Sequence, residues 1–468
     1  MNSLKKIVLF VAIAACFGLA APGKGKFEFP STPQGKRAAA YFSAFNSGSD
    51  QAMAAFLKEN FSSETLKRVS LDERLARFHG FRQQAQSLTP EKLFRATGEK
   101  VSFLVRDGQG EMLEFTFQFE KNASAMITTI MAAPIDAEAA ADLAGPPLSR
   151  EEVLGRIRAV LAERSQADMF SGVVLVAHDD QVIIHEARGL SSMEYSVANR
   201  PDTRFNLGSI NKLFTRVAIG QLAEKGKLSL EDKIEKFLPD YPNREAAQKV
   251  SVRQLLDMSS GIGDFFGDKY RKLPKDRIRD LPDYLELFAS EPLLFQPGSS
   301  RRYSNGGYIV LGLIVAKASG QSYWDYVRDH IYIPAGMTAT GHLEADVPAA
   351  NVAGGYTRNW DEGDHEKEPR RSNIYTRPAR GSSAGGGYST ALDLFKFSLA
   401  LRAGKLLGPL GKEWFGGPQA YAGGAPGINA ELDMDAAPGW TVVVMGNYDP
   451  PAASSLAQKI SGLLKRLR

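Results

Sequence analysis

Thiols are almost absent from this sequence. Its 468 residues include one cysteine, Cys16, inside an apolar N-terminal run. The processed chain is therefore expected to hold no disulfide and no thiol chemistry. Histidine is scarce as well. His79, His178, His185, His330, His342 and His365 show neither a helical zinc-ligand pair nor a Cys/His spacing, so no metal and no other cofactor is expected. His79 stands alone in its region and reads as structural. A dominant charge is also missing. The 57 Lys and Arg against 53 Asp and Glu leave a formal charge of +4, which points to no nucleic-acid or acidic-lipid partner. Past the N-terminus no apolar run is long enough to span a bilayer.

What is present begins with an export signal. Lys5 and Lys6 precede the apolar run Ile7 to Ala15, and small residues follow through Gly18 and Ala20. A charged start, a short apolar segment and small residues predict a secretory peptide over residues 1–20, cleaved after Ala20. The product is expected to be periplasmic or secreted. Ile13-Ala14-Ala15-Cys16 also resembles a bacterial lipoprotein box. That alternative makes Cys16 a lipidated N-terminus, the one route by which a membrane becomes a partner.

The length exceeds one ordinary domain. Residues 35–88 carry apolar stripes at helical spacing, as in Ala38, Tyr41, Phe42 and Phe45. Leu113, Phe115, Phe117 and Phe119 then alternate with polar residues. They follow Val101 to Val105 across the turn Asp107-Gly108-Gln109-Gly110, and Ala125 to Met131 is a further strand candidate. Helices followed by a hairpin-rich sheet predict a small α+β domain over 27–133. Its texture resembles the nuclear transport factor two-like, cystatin-like cone domains. Residues 134–148 read as a linker. Ser149 and Glu152 then form a capping box for a helix to about Ala162. Gly172–Ala177 and Val182–Ala187 read as a hairpin, and Trp440–Met445 as a strand before a helix from Ala452. Strands at both ends of 149–468, with helices between, predict one sheet built from distant segments.

The chemistry concentrates in two short segments. Ile210, Leu213, Phe214 and Val217 keep helical spacing, so a buried helix is expected to start near Ser209. Ser209 and Lys212, three apart, then share a face. Serine is a weak nucleophile unless a neighbour takes its proton, and a buried lysine can be driven toward the neutral base. The second segment is Tyr303-Ser304-Asn305. A phenol beside an ammonium is expected to ionise more readily and to shuttle protons. Asn305 offers a donor and an acceptor to hold the lysine and the substrate amide. Each motif alone is common. Ser-x-x-Lys recurs at Ser3–Lys6 and Tyr-x-Asn at Tyr241–Asn243.

In this order, with the flanks Phe205-Asn206-Leu207-Gly208, Ser260-Gly261-Ile262, Gly385-Gly386-Gly387-Tyr388 and Gly423-Gly424-Ala425-Pro426, the motifs resemble the class C β-lactamase, D-amino-acid peptidase and esterase family of penicillin-recognising serine hydrolases. The resemblance spans about residues 150–468. It implies a β-lactamase/transpeptidase-like α+β fold, with an antiparallel sheet flanked by helices, an all-helical subdomain, and the site between them. It implies acyl transfer on Ser209 with Lys212 and Tyr303 as catalytic partners. Small-molecule or peptide substrates follow: esters, amides, D-amino-acid peptides or β-lactams. The oxyanion donors are implied to be the N–H groups of Ser209 and Gly424, and Asn305, Tyr421 and Gly423 to contact substrate.

The third motif departs from the family. Tyr421-Ala422-Gly423 stands where relatives carry lysine or histidine, a small residue and glycine, and a phenol brings no positive charge near neutral pH. A catalytically weak protein acting as a binding module is therefore the alternative. Met258 stands where relatives often have histidine. The short segment from Leu406 to Tyr421 suggests a missing strand before the motif. His342 and His365 fall where they would flank the pocket, and are expected to be solvated loop residues.

Overall fold

The computed structural model describes residues 27–68, 70–135, 140–141, 143, 145–361, 363, 365, 367–415 and 420–468. The export signal and Cys16 lie outside the described residues, as does part of the expected linker. The chain divides into two compact units, Met1–Ala132 and Ala133–Arg468.

In the first unit, helices α1 (Pro33–Ser47), α2 (Asp50–Asn60), α3 (Ser63–Arg68) and α4 (Leu71–Ala85) precede a four-stranded sheet in chain order. The side chains of Thr32, Ser49 and Ser70 cap α1, α2 and α4 by accepting from orphan backbone N–H groups. The strands are β1 (Leu88–Ala96), β2 (Lys100–Asp107), β3 (Met112–Phe119) and β4 (Ile127–Pro134). Phe103, Phe115 and Phe117 from the sheet bury against Tyr41, Phe42 and Phe45 of α1. The helical pattern was expected to reach residue 88, but it stops at Ala85 and a strand follows. Pro90 and the register shifts beside it break the alternation that would have marked β1. His79 is not isolated: its Nε2 lies 2.6 Å from Asp50 Oδ1 on an exposed surface.

The second unit opens with α5 (Arg150–Gln166), capped by the Ser149–Glu152 box. Strands β5 (Gly172–His178) and β6 (Gln181–Arg188) form the expected hairpin. Helices α6 (Lys212–Glu224), α7 (Asn305–Ser319) and α8 (Ala391–Arg402) follow among shorter helical turns. The sheet is completed by β7 (Ala420–Ala425), β8 (Ile428–Ala437) and β9 (Trp440–Gly446), and α9 (Ala452–Leu464) closes the unit. Its order is β7-β8-β9-β5-β6, every neighbour antiparallel.

The period of two divides the interior strand β5 between two cores. Val174 and Val176 of β5 join the layer of α5 and α9. Val173, Leu175 and Ala177 join the larger core of α6, α7 and α8. All five are fully buried, and burying a valine or leucine side chain contributes roughly 1.5–3 kcal/mol. This α+β arrangement is the one the sequence implied. β7 is at the sheet edge, beside the turn that precedes α6.

Candidate active site

Ser209 sits in a single 3-10 turn, Gly208–Asn211, and the α-helix begins only at Lys212. The helix was expected to start near Ser209, and a 3-10 turn carries the serine itself. Close packing explains the tighter turn: Gly208 has φ +49°, and a Cβ there would lie 2.8 Å from the Gly424 nitrogen.

Lys212 is 6% exposed. Its Nζ lies 3.1 Å from Ser209 Oγ, 2.6 Å from Asn305 Oδ1 and 2.5 Å from the Ala384 carbonyl oxygen. Burial lowers its pKa to about 7, against the nearby Asp264 carboxylate, which raises it. Nζ donates to the two carbonyl oxygens and to Ser209 Oγ. In the neutral amine two N–H groups still meet the carbonyl oxygens, which can only accept, and the lone pair turns to the Ser209 hydroxyl proton.

Tyr303 donates its phenol O–H to Ser209 Oγ at 2.6 Å, so both expected partners converge on one oxygen. The expectation that Tyr303 ionises more readily is corrected. Its pKa is raised by burial, with the Ser209 hydrogen bond lowering it and Asp264 raising it. The phenol therefore rests protonated, and the lysine is the group poised to accept a proton. Ser304 holds the segment by capping α7: its Oγ accepts from Gly307 N and donates to Gly263 O, each at 2.8 Å. Met258, at the position where relatives often have histidine, accepts from Ser304 N through its sulfur at 3.3 Å.

Two contributors escaped the sequence reading. One is Asp264, whose Oδ2 accepts from Asn305 Nδ2 at 2.8 Å and from Asn305 N at 3.1 Å. Its only sequence signal was a lone acid in the apolar stretch Ile262 to Phe266. The other is the segment 381–384, just before the glycines already noted. Asn211 Nδ2 donates to Ser382 O, Thr215 Oγ1 to Ser383 O, and Lys212 to Ala384 O. Three successive carbonyls are thus tied to the start of α6. The glycines allow the approach, since a Cβ at Gly387 would lie 2.3 Å from Asn211 Oδ1.

The edge strand β7 brings the third motif to the site. A Cβ at Gly423 would lie 2.0 Å from Leu207 O and 2.8 Å from Ser209 N. A Cβ at Gly208 would in turn lie 2.8 Å from Gly424 N, so the strand bearing Gly423 and Gly424 packs directly on the Ser209 turn, and the two candidate oxyanion donors stand on one wall. The facing residues of β7 and β8 are Ala425 with Ile428 and Gly424 with Asn429. Hydrogen-bonded and open pairs alternate from the two-residue turn, which leaves the Gly424 N–H directed away from β8. Tyr421 takes a different place from the one expected. It packs against the large core, with Arg216 as an electrostatic neighbour and its pKa pushed up to about 12 by burial. It does not line the cleft that Ala422, Gly423 and Gly424 line.

The cleft holds about 620 Å³ and contains Ser209, Tyr303 and Asn305, with an apolar wall from Phe265, Phe266 and Tyr284. His342 is not a solvated residue. Tyr323, Trp324 and Tyr332 surround its ring, Nε2 has no hydrogen-bond partner among the described residues, and burial lowers its pKa to about 3. His365 lies on a loop between Asp361 and Glu368, and neither histidine lines the cleft. Among the described residues no group of three or more His, Cys, Asp or Glu could hold a metal ion. No described helix is long and apolar enough to cross a membrane.

The chain is similar to known proteins. The family model described as Beta-lactamase matches residues 157–442. A penicillin-binding protein of Bacillus subtilis (strain 168) is 35% identical over 182 residues, covering 38% of this chain and 39% of that protein. The match thus spans well under half the length of that relative. The crystal structure of a penicillin binding protein from Bacillus halodurans is 28% identical, with a TM-score of 0.56, covering 63% of this chain and 98% of that one. The D-amino acid amidase from Ochrobactrum anthropi SV3 is 20% identical, with a TM-score of 0.57 over 67% of this chain and 98% of that one. At that identity it shows the fold alone.

Proposed function

The chain belongs to the Beta-lactamase family, a family of serine hydrolases, and on that premise we propose that it is an exported enzyme working through an acyl-enzyme on Ser209. One observation carries this reading: Ser209 Oγ meets Lys212 Nζ at 3.1 Å and Tyr303 OH at 2.6 Å at once.

Ser209 Oγ attacks the substrate carbonyl carbon while Lys212 Nζ takes the hydroxyl proton. The carbonyl oxygen gains the negative charge and faces the N–H groups of Ser209 and Gly424, each such donor contributing roughly 3 kcal/mol. The tetrahedral intermediate collapses, the bond to the leaving group breaks, and that group takes the proton from Lys212 by way of Tyr303. Water then attacks the ester on Ser209 by the same route and releases the acid. Esters, amides, D-amino-acid peptides and β-lactams all fit this chemistry. The expected N-terminal signal supports export to the periplasm or medium. The first unit, over 27–133, is proposed as a nuclear transport factor two-like domain on its helix-then-sheet order.

The altered third motif favours one other reading, a weak or inactive protein that binds without turnover. Covalent labelling separates the two. A fluorophosphonate or a fluorescent penicillin is expected to modify the protein and to spare Ser209→Ala. Failure of both probes across pH 6–9 would leave only the binding reading.

A further inference from the structure

Among the described residues, Arg377 is the only charged one lining the cleft, and no carboxylate lines it. Arg377 is half-buried, and its guanidinium has no hydrogen-bond or ion-pair partner among the described residues. Its neighbours in sequence differ. Arg370 pairs with Asp168, Arg371 lies over the Trp360 ring at 4.0 Å, and Arg380 meets both Glu344 and the Trp324 ring. An arginine kept out of such pairing inside a cleft retains all five donors for a ligand.

The backbone that carries it is fixed on both sides. Tyr270 donates its O–H to Thr376 O at 2.9 Å, and Ala379 N donates to Lys275 O at 3.0 Å. Asn373 Nδ2 reaches Pro426 O at 2.9 Å, tying the segment to the turn between β7 and β8. Arg377 thus belongs to an anchored segment of the cleft wall, and that segment is tied to the turn after the third motif. That motif itself supplies no cation, because Tyr421 turns into the core. Lys212 cannot substitute, since its Nζ is engaged by Ser209, Asn305 and Ala384.

Resting on the acyl-transfer reading, we infer that Arg377 binds a carboxylate on the substrate, so that the cleft selects esters or amides with an apolar body and an anionic end. Planar guanidinium and planar carboxylate match in a two-point hydrogen bond. The apolar wall of Phe265 and Phe266 covers the part between the anion and the scissile carbonyl.

The test compares mono-4-nitrophenyl glutarate with 4-nitrophenyl butyrate, an anionic and a neutral ester with the same leaving group. The readout is the ratio of their kcat/KM values. Arg377→Ala is expected to lower that ratio about 10- to 100-fold, mainly through KM, as loss of a charge-assisted hydrogen bond would. Arg377→Lys is expected to recover part of it, and added salt to lower it in the unsubstituted protein. An unchanged ratio in Arg377→Ala overturns the inference. A second arm needs no turnover. In Ser209→Ala, calorimetric binding of 4-phenylbutyrate over 4-phenylbutyramide is expected, and Arg377→Ala should abolish the preference. If neither ester is hydrolysed, the acyl-transfer reading falls, and this arm alone decides the role of Arg377. A preference that survives the double substitution overturns it.

Discussion

Asp264 decides which way Asn305 faces. The carboxylate can only accept, so Asn305 must present Nδ2 to it at 2.8 Å, and Oδ1 is thereby turned to Lys212 at 2.6 Å. Without that acceptor the amide could present an N–H to the lysine and compete with the nucleophile for it. Asp264 does not touch Ser209 through any of these bonds; it acts by positioning and by its charge.

Substituting Asp264→Asn should therefore do two separate things. The amide loses its fixed orientation, and kcat is expected to fall about 10- to 100-fold. The field that raises the Lys212 pKa also disappears, so the acidic limb of the pH profile should move to lower pH. A rate loss without any limb shift would mark Asp264 as merely structural.

The pH dependence of the unsubstituted protein follows from the same lysine. Neutral Lys212 is the competent base and its pKa lies at about 7. Activity on a neutral ester is expected to rise through that value and then level off. A profile flat from pH 5 to 9 would exclude Lys212 as the base.

Removing either proton carrier should be costly but unequal in kind. Lys212→Ala takes away the base, and about 10²–10⁴-fold in kcat is expected to go with it. Tyr303→Phe keeps the ring over Lys212 while deleting the O–H bound to Ser209. It should slow turnover more for amides than for activated esters, whose leaving groups need no proton. Equal losses on both substrate types would contradict the proton route through Tyr303.

The backbone wall can be probed without touching a side chain that reacts. A methyl group at Gly423 would meet Leu207 O at 2.0 Å and Ser209 N at 2.8 Å. Both are backbone atoms and cannot swing aside. Gly423→Ala is thus expected to displace β7 from the Ser209 turn and cut kcat by 100-fold or more, read alongside thermal unfolding to confirm that the fold persists. Full activity would mean that the edge strand moves freely and does not build the oxyanion wall.

Stability carries its own pH signature, away from the cleft. Glu431 is 5% exposed, and burial, then the Asp433 carboxylate, raise its pKa to about 8. Between the unfolded value of 4.5 and about 8 the folded chain keeps a proton that the unfolded chain loses. Its contribution to stability is therefore complete below the unfolded value and declines as pH rises, at up to about 1.4 kcal/mol per pH unit. Glu431→Gln should flatten that decline in denaturant titrations from pH 5 to 8.

Much of this protein could be read from the chain alone. Ser209, Lys212, Tyr303 and Asn305 were legible because two short motifs, each common alone, stand in one order with their glycine-rich flanks, and three-residue spacing along a helical start puts Ser209 beside Lys212. The alternation of Phe115, Phe117 and Phe119 and the Ser149–Glu152 box were legible for the same reason, since their physics lies within a few neighbouring residues. Tertiary structure alone decided the rest. Asp264 gained its role from Asn305, 41 positions away, and Arg377 its place from a loop anchored to distant Tyr270. Tyr421 was turned to the core by its register on β7. The charge state of Lys212 was set by burial, working against a carboxylate brought near in space, and no local pattern encodes how much water a folded chain will remove from a given nitrogen.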